Sequence, residues 1–381
     1  MKIAFFSESY KPYISGVVRS IEVLKNELEN FGHEVFLFAP WYPGYKDTEK
    51  NIIRLPSIPT KYPGFRAAIP YPNFIRNLGY DIIHSNSLFQ LGFFAMRYAK
   101  NKHIPFIYSF HTLFTEYLHY APIPKKIGIT FASKYIKYFC SNCNRIIVPT
   151  AFTEKYLRNF GVNSRIEIIP TGINIELSDK ASCQGLKEKY NIPRLSKVLI
   201  YSGRLAKEKN IDFILKSFKL VLSSFQDVYL LLVGSGPESE NYKKLSADLG
   251  IQNKIVFTGQ IKYPEILNYY KCADMLVFAS KTETQGLVIA EALSCGIPSV
   301  AIDSGGVSES IRNGFTGFLT KEDSMAFAEK ILFLLRNDDI RKKFGAQSSL
   351  FARDAFSSMS IAKKIENIYN SLLYSYERSK Q

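Results

Sequence analysis

The chain has 381 residues, more than a single hydrophobic core usually serves, so two domains are expected. Hydrophobic residues make up 46% and charged residues 22%, which excludes disorder over most of the length. The formal net charge of +15 is uneven: residues 50–153 carry thirteen Lys or Arg against two acids, Asp81 and Glu116, an asymmetry that points to nucleic acid or a membrane surface.

In chain order, Lys2–Phe6 reads as a first buried strand. Its apolar run stops at Ser7-Glu8-Ser9, too short for a signal peptide, and no later run approaches the roughly 18 residues of a membrane-spanning helix. A cytoplasmic protein is expected. Residues 16–31 read as a helix with Val17, Ile21, Leu24 and Leu28 on one face. Strands are predicted at 35–39, 81–84, 106–110 and Arg145–Val148, with helices at 91–101 and 126–140 between them. Asp81 reads as structural. The second half repeats the alternation, with strands at 197–201, 229–233, 254–258, Met275–Phe278 and Ser299–Ile302. Helices are predicted at 211–225, 242–249, 264–271 and 286–295. Residues 361–376 read as a closing helix, with Ile361, Ile365, Ile368 and Leu372 in register. Such alternation implies parallel sheets with ligands at the carboxyl ends of the strands.

Five scattered cysteines argue against a disulfide framework. Cys140 and Cys143 form a C-x-x-C, but a zinc site needs a second ligand pair and none is near. Two half-buried thiols on one helix is the plainer reading.

Two stretches carry chemistry. Gly203 to Asn210 follows a strand and precedes a helix. Arg204 and Lys209 bring two cations to a helix N-terminus, so it reads as a diphosphate site or as a solvated basic turn. From Ser280 to Ala292, Gly286 opens a helix, and Glu283 and Glu291 lie eight residues apart. Two turns of helix would let both carboxylates line one pocket wall and accept hydrogen bonds from sugar hydroxyls. The same pair also reads as one capping and one exposed glutamate.

Together with Ser15-Gly16, Ser109-Phe110-His111-Thr112, Ile169-Pro170-Thr171-Gly172, Val233-Gly234-Ser235-Gly236-Pro237, Phe257-Thr258-Gly259 and Gly296-Ile297-Pro298, these stretches resemble the retaining family 4 glycosyltransferases with their E-x7-E motif. The resemblance implies a GT-B fold: α/β, with two Rossmann-like doubly wound parallel-sheet domains and an interdomain cleft. The domains would be 1–172 on the acceptor side and 173–355 on the nucleotide-sugar side, with 356–381 crossing back to the first. It implies that Glu291 holds the ribose and Glu283 the donor sugar, that Arg204 and Lys209 neutralise the diphosphate, and that Gly16 approaches it. Gly259 would border the nucleobase, Gln285, Gly286 and Leu287 would belong to the donor site, and His111 would lie beside the reacting sugar. No D-x-D pair is present, so protein cations rather than a metal are expected to stabilise the departing diphosphate. Retention in this family implies front-face attack without a protein nucleophile. Glu283-Thr284-Gln285-Gly286-Leu287 and the run from His111 to Tyr120 are similar to the subgroup that glucosylates diacylglycerol, which implies UDP-glucose as donor.

The acceptor side is basic and aromatic. Residues 54–76 hold Arg54, Lys61, Arg66 and Arg76 among Tyr62, Phe65, Tyr71 and Phe74. Residues 125–145 hold Lys125, Lys126, Lys134, Lys137 and Arg145 with Phe131 and Phe139, and neither stretch contains an acid. Such composition suits an interfacial element on an anionic membrane, each cation near the surface contributing about 1 kcal/mol. A core-packed helix with a solvated basic face is the plainer alternative. No helix-turn-helix or RNP strand supports nucleic acid. The expectation is a peripheral enzyme on the inner face of the cell membrane, moving glucose to diacylglycerol. Mannosyl transfer to phosphatidylinositol-type or saccharide acceptors, and sugar-nucleotide epimerisation, are the rivals. A nicotinamide oxidoreductase lacks its G-x-G-x-x-G after the first strand.

Overall fold

A computed structural model describes residues 1–60, 65–71, 73–75, 78–113 and 125–378, with the side chains of the last stretch described from 128 onward. The chain forms two compact units, Met1–Gly172 together with Ser358–Gln381, and Ile173–Ser357.

The first unit runs β1 (Lys2–Phe6), α1 (Gly16–Asn30), β2 (Glu34–Pro40), β3 (Ile52–Leu55), β4 (Ser57–Pro59), β5 (Arg66–Ala68), β6 (Ile82–Ser85), α2 (Gln90–Lys102), β7 (Phe106–Ser109), α3 (Lys125–Ser141), β8 (Arg145–Val148), α4 (Ala151–Asn159) and β9 (Ile166–Ile168). Seven strands form one parallel sheet in the order β3-β2-β1-β6-β7-β8-β9. The order reverses between β1 and β6, which makes their carboxyl ends the switch point of this sheet. Asp81 accepts the Lys2 N–H at 2.7 Å and pins β1 beside β6, a structural role.

The second unit runs α5 (Ile175–Lys180), α6 (Leu186–Lys189), β10 (Lys197–Ser202), α7 (Ile211–Leu222), β11 (Val228–Val233), α8 (Ser239–Asp248), β12 (Ile255–Gly259), α9 (Ile266–Cys272), β13 (Met275–Phe278), α10 (Leu287–Ser294), β14 (Ser299–Ile302), α11 (Val307–Ser310), β15 (Gly317–Thr320), α12 (Ser324–Arg336) and α13 (Asp338–Phe356). Its six parallel strands follow the order β12-β11-β10-β13-β14-β15, reversing between β10 and β13. The near-continuous apolar strands, such as Leu230-Leu231-Leu232-Val233, are what a sheet covered on both faces requires. Both expected Rossmann-like sheets are present.

The last helix, α14 (Ser358–Arg378), returns to the first unit. Its buried Ile361, Ile365, Tyr369 and Leu372 share one core with Ile21, Leu24 and Leu28 of α1, on one face of the sheet. Leu91 and Met96 of α2 and Ile136 and Phe139 of α3 belong to a second core that includes Ala4 and Phe6 of β1.

Three readings need correction. The basic stretch after Arg54 contains a short antiparallel pair, β4 with β5, which its prolines and irregular aromatics hid. The eight residues from Glu283 to Glu291 are not two turns of helix: Glu283 lies in the loop, and α10 begins at Leu287, one residue after the expected start, because Gly286 adopts the left-handed conformation (φ 84°) that ends that loop. Cys183 and Cys272 form a disulfide with Cα atoms 4.8 Å apart, although 89 residues separate them. Folding brings the loop after α5 against the end of α9, which spacing alone does not reveal. Cys140 and Cys143 are free and buried rather than half-buried, and burial pushes the Cys140 thiol up to about 12, so it stays protonated at neutral pH.

Candidate active site

In the second unit, two loops at strand carboxyl ends carry the candidate donor residues. The first, 203–210, leaves β10. Its backbone is held by the Val233–Pro237 turn: Gly203 N–H bonds to Val233 O at 3.0 Å, and Leu205 N–H to Ser235 O at 3.0 Å. Gly234 permits this. A Cβ there would lie 1.9 Å from Gly203 O, so only glycine lets the two loops meet. The glycines of that motif therefore serve loop-to-loop packing.

The second loop, 279–286, leaves β13 and delivers Glu283. Its carboxylate oxygen Oε1 accepts a hydrogen bond from Lys209 Nζ at 2.5 Å, an ion pair that joins the two loops. Burial pushes the Glu283 carboxyl up, but the Lys209 ammonium outweighs it and holds the group below its ordinary range. Arg204 sits in the first loop, partly buried, where its carbonyl accepts the Tyr201 hydroxyl at 3.2 Å. A Cβ on Gly306 would lie 2.0 Å from Thr284 O, and Gly306 N–H donates to Glu283 O at 3.0 Å. Ser310 Oγ donates to Gln285 O at 2.7 Å. Gln285 is buried, and Gly286 caps α10 ahead of the partly buried Leu287.

Glu291 lies in the second turn of α10. It is 7% exposed rather than solvated, and its Oε2 accepts the Tyr270 hydroxyl at 3.4 Å. A buried carboxylate held this way is a preformed acceptor pair for vicinal hydroxyls. Gly259 ends β12 with φ 71°, and its carbonyl accepts Gly234 N–H at 2.9 Å. The structure thus gathers Lys209 with Glu283, and places Arg204, Gly259, Gln285, Gly286, Leu287 and Glu291 around the same strand ends.

In the first unit, Ser15 caps α1 by accepting the Val18 N–H at 3.2 Å. A Cβ on the next residue, Gly16, would meet no atom within 4 Å. Local packing does not demand glycine there; open backbone suits close approach by a ligand. His111 follows β7, with Nε2 3.2 Å from Asn86 Oδ1. Burial pushes its pKa down to about 4, so the ring is neutral at neutral pH. Behind it, His84 of β6 lies between the Tyr369 hydroxyl at 2.6 Å and Ser109 Oγ at 2.8 Å.

Of the candidate membrane residues, Lys134 and Lys137 are exposed on α3. Arg66 instead grips its own hairpin: its guanidinium donates to Ser57 Oγ and O at 2.8 and 2.7 Å and stacks over Trp41. Lys125 and Lys126 begin α3, but their side chains, and Lys61 entirely, lie outside the described residues. Among the described residues no group of three His, Cys, Asp or Glu is arranged to hold a metal ion, and no helix is long and apolar enough to cross a membrane.

Sequence reasoning missed Tyr270, Gly306, Ser310 and Glu322. Glu322 accepts Asn210 Nδ2 at 2.8 Å and Lys281 Nζ at 2.6 Å, bridging the two donor loops a second time. Nothing in their local spacing marks them; each is recruited by the turn of the sheet.

The chain matches two family descriptions, Glycosyltransferase Family 4 over residues 14–177 and Glycosyl transferases group 1 over residues 184–350. It is 33% identical to an alpha-monoglucosyldiacylglycerol synthase of Streptococcus pneumoniae over 79% of this chain and 71% of that one. It is 30% identical to the enzyme of the same description from Acholeplasma laidlawii, over 98% of each chain. Anabaena HepE, solved in complex with UDP and glucose, shares the fold with a TM-score of 0.79 at 19% identity, over 97% of this chain and 100% of that one. The chain belongs to the family 4 glycosyltransferases with the GT-B fold.

Proposed function

We propose that this glycosyltransferase moves glucose from UDP-glucose to the free hydroxyl of 1,2-diacylglycerol at an anionic membrane surface, giving an α-glycosyl lipid with retention. The donor half of the reading rests on the Lys209–Glu283 pair and the buried Glu291, with Arg204 nearby. Glu291 takes the ribose hydroxyls and Glu283 those of the sugar. As the sugar–phosphate bond breaks, Lys209 and Arg204 stabilise the charge gathering on the diphosphate. The departing phosphate accepts the proton of the attacking hydroxyl on the same face of the sugar, and His111, neutral at neutral pH, adds no charge to the step.

The observation that carries the acceptor half is the outward face of α3. Phe131 is 78% and Tyr138 53% exposed, and with Lys134 they fall at i, i+3 and i+7 on one stripe, with Lys137 adjacent. Apolar and aromatic groups flanked by lysines on a helix surface suit an interfacial element. Both synthases similar to this chain are described by a glucosyldiacylglycerol product, which agrees with it.

The test is an acceptor and donor screen with UDP-glucose, UDP-galactose and GDP-mannose, with and without diacylglycerol in vesicles containing anionic lipid. Glucose transfer to lipid that falls with rising salt is expected. Transfer to soluble sugars alone would overturn the lipid acceptor, and turnover only with GDP-mannose would overturn the donor.

A further inference from the structure

Asn86 follows the last residue of β6, at the point where the strand order of the first sheet reverses. Its backbone N–H donates to Phe6 O of β1 at 2.8 Å, so the residue is seated between the two central strand ends. Ligands of doubly wound sheets bind outside the carboxyl ends at such a switch point. The residue is only 6% exposed. One end of its amide faces His111 Nε2 at 3.2 Å; the other, Nδ2, has no hydrogen-bond partner among the described residues. Turning the amide over would not repair this, because the oxygen would then be the unpaired atom. Among the described residues one buried polar atom stays unsatisfied either way, at a cost of about 1–3 kcal/mol.

Asn86 also lines a cavity of about 30 Å³, with Ser109, His111 and Thr171 among its polar residues and Leu24 and Ile361 among its apolar ones. That is room for a hydroxyl-sized group and too little for a sugar ring.

We propose that Asn86 is a substrate-binding residue, its open amide atom forming a hydrogen bond to a single hydroxyl of the reacting pair beside His111. The hydroxyl belongs either to the acceptor alcohol or to the transferred sugar. The inference rests on the glycosyl transfer reading only in needing a hydroxylated substrate at this end of the sheet. An apolar residue of the same shape removes the unpaired amide atom and also the oxygen facing His111 Nε2, two effects on stability of opposite sign, and it loses the contact to substrate.

The test compares Asn86→Leu and Asn86→Ala with the wild type, using UDP-glucose and a short-chain diacylglycerol in mixed micelles. Three readouts are taken: transfer kinetics, acceptor-free hydrolysis of UDP-glucose, and Tm. Asn86→Leu is expected to keep Tm within about 3 °C and to lose about tenfold or more in kcat/KM, the value of one hydrogen bond of about 1.4 kcal/mol. If hydrolysis persists while transfer falls, the hydroxyl is the acceptor's. If both fall together, and UDP-6-deoxyglucose or another UDP-deoxysugar shows no further loss in the variant, it is the sugar's. Unchanged transfer in both variants, or a loss that tracks a lowered Tm, overturns the assignment. Should the wild type refuse lipid yet turn over another acceptor, the same comparison is made with that acceptor, so the two readings fail separately.

Discussion

Lys209 and Glu283 are each other's counter-charge: ammonium and carboxylate meet at 2.5 Å across two loops that leave different strands of one sheet. Both groups are also the ones assigned to the donor. In the roles proposed for them, the pair keeps the cation for the diphosphate and the carboxylate for the sugar charged and aligned before either is needed.

Removing the cation should show both roles. With Lys209→Met, burial is left as the main influence on the Glu283 carboxyl, so its pKa rises toward and above the ordinary value. The acid limb of the kcat/KM profile should then move to higher pH. The KM for the nucleotide-sugar should rise about tenfold or more, as expected for losing a charge-assisted contact. An unmoved acid limb in steady-state assays from pH 4 to 8 would show that the pair does not govern the ionisation of Glu283.

Glu291 and Glu283 should separate in their effects. Glu291→Gln keeps the shape of the side chain and the Tyr270 contact but removes the charge that strengthens hydrogen bonds to hydroxyls. Nucleotide affinity, measured by calorimetry with UDP, is expected to weaken by about 10- to 100-fold. Glu283→Gln should leave UDP affinity within about threefold and lower turnover instead, because its proposed contact is with the sugar. Equal losses of UDP affinity in both variants would refute this division.

What the sequence disclosed about this site follows from how local each feature is. Arg204, Lys209 and Gly286 were legible because a strand, a turn and a helix start lie within a few residues of one another. Glu283 and Glu291 were found by spacing, but that spacing was read as two turns of helix, because the loop ahead of Gly286 is held by Gly306 beneath it, which lies well outside the motif. Ser310 reaches Gln285 across 25 residues and Glu322 reaches Asn210 across 112, and no periodicity connects them. The β4–β5 pair was hidden by prolines, and the Cys183–Cys272 bridge by the fold itself. The two parallel sheets were legible because their strands are short, continuous apolar runs.

His84 ties the C-terminal helix to the sheet. It is fully buried, its pKa is pushed down to about 3 mainly by that burial, and Tyr369 supplies one of its two ring partners. Tyr369→Phe keeps the packing of a fully buried ring and deletes only the hydroxyl. His84 Nδ1 would then be left without that bond, at a cost of about 1–3 kcal/mol. Thermal denaturation should show a lower Tm for Tyr369→Phe at pH 7.5. A Tm equal to that of the wild type would mean that the hydroxyl contributes nothing net.

Glu8 gives a pH dependence with a definite sign. It follows β1, is 6% exposed, and its Oε1 accepts the Leu91 N–H at 2.7 Å at the start of α2. Burial raises its pKa from 4.5 to about 7, against the opposing pull of the Leu91, Gly92 and Ser87 hydrogen bonds. Below about pH 4.5 folded and unfolded chains are both protonated at this group. Between about 4.5 and 7 the folded chain keeps a proton that the unfolded chain has released, so rising pH favours unfolding. Above about 7 that loss is complete, on the order of 3 kcal/mol. His84 and His111 act oppositely, since their lowered pKa values cost stability as pH falls below about 6.5. Comparison with Glu8→Gln isolates the first effect, because the amide does not titrate and still offers an acceptor to Leu91. The stability of Glu8→Gln relative to the wild type should therefore rise by about 2–3 kcal/mol from pH 5 to pH 8. Urea denaturation at each pH measures it, and a difference that stays flat would show that Glu8 titrates in the folded chain as it does in the unfolded one.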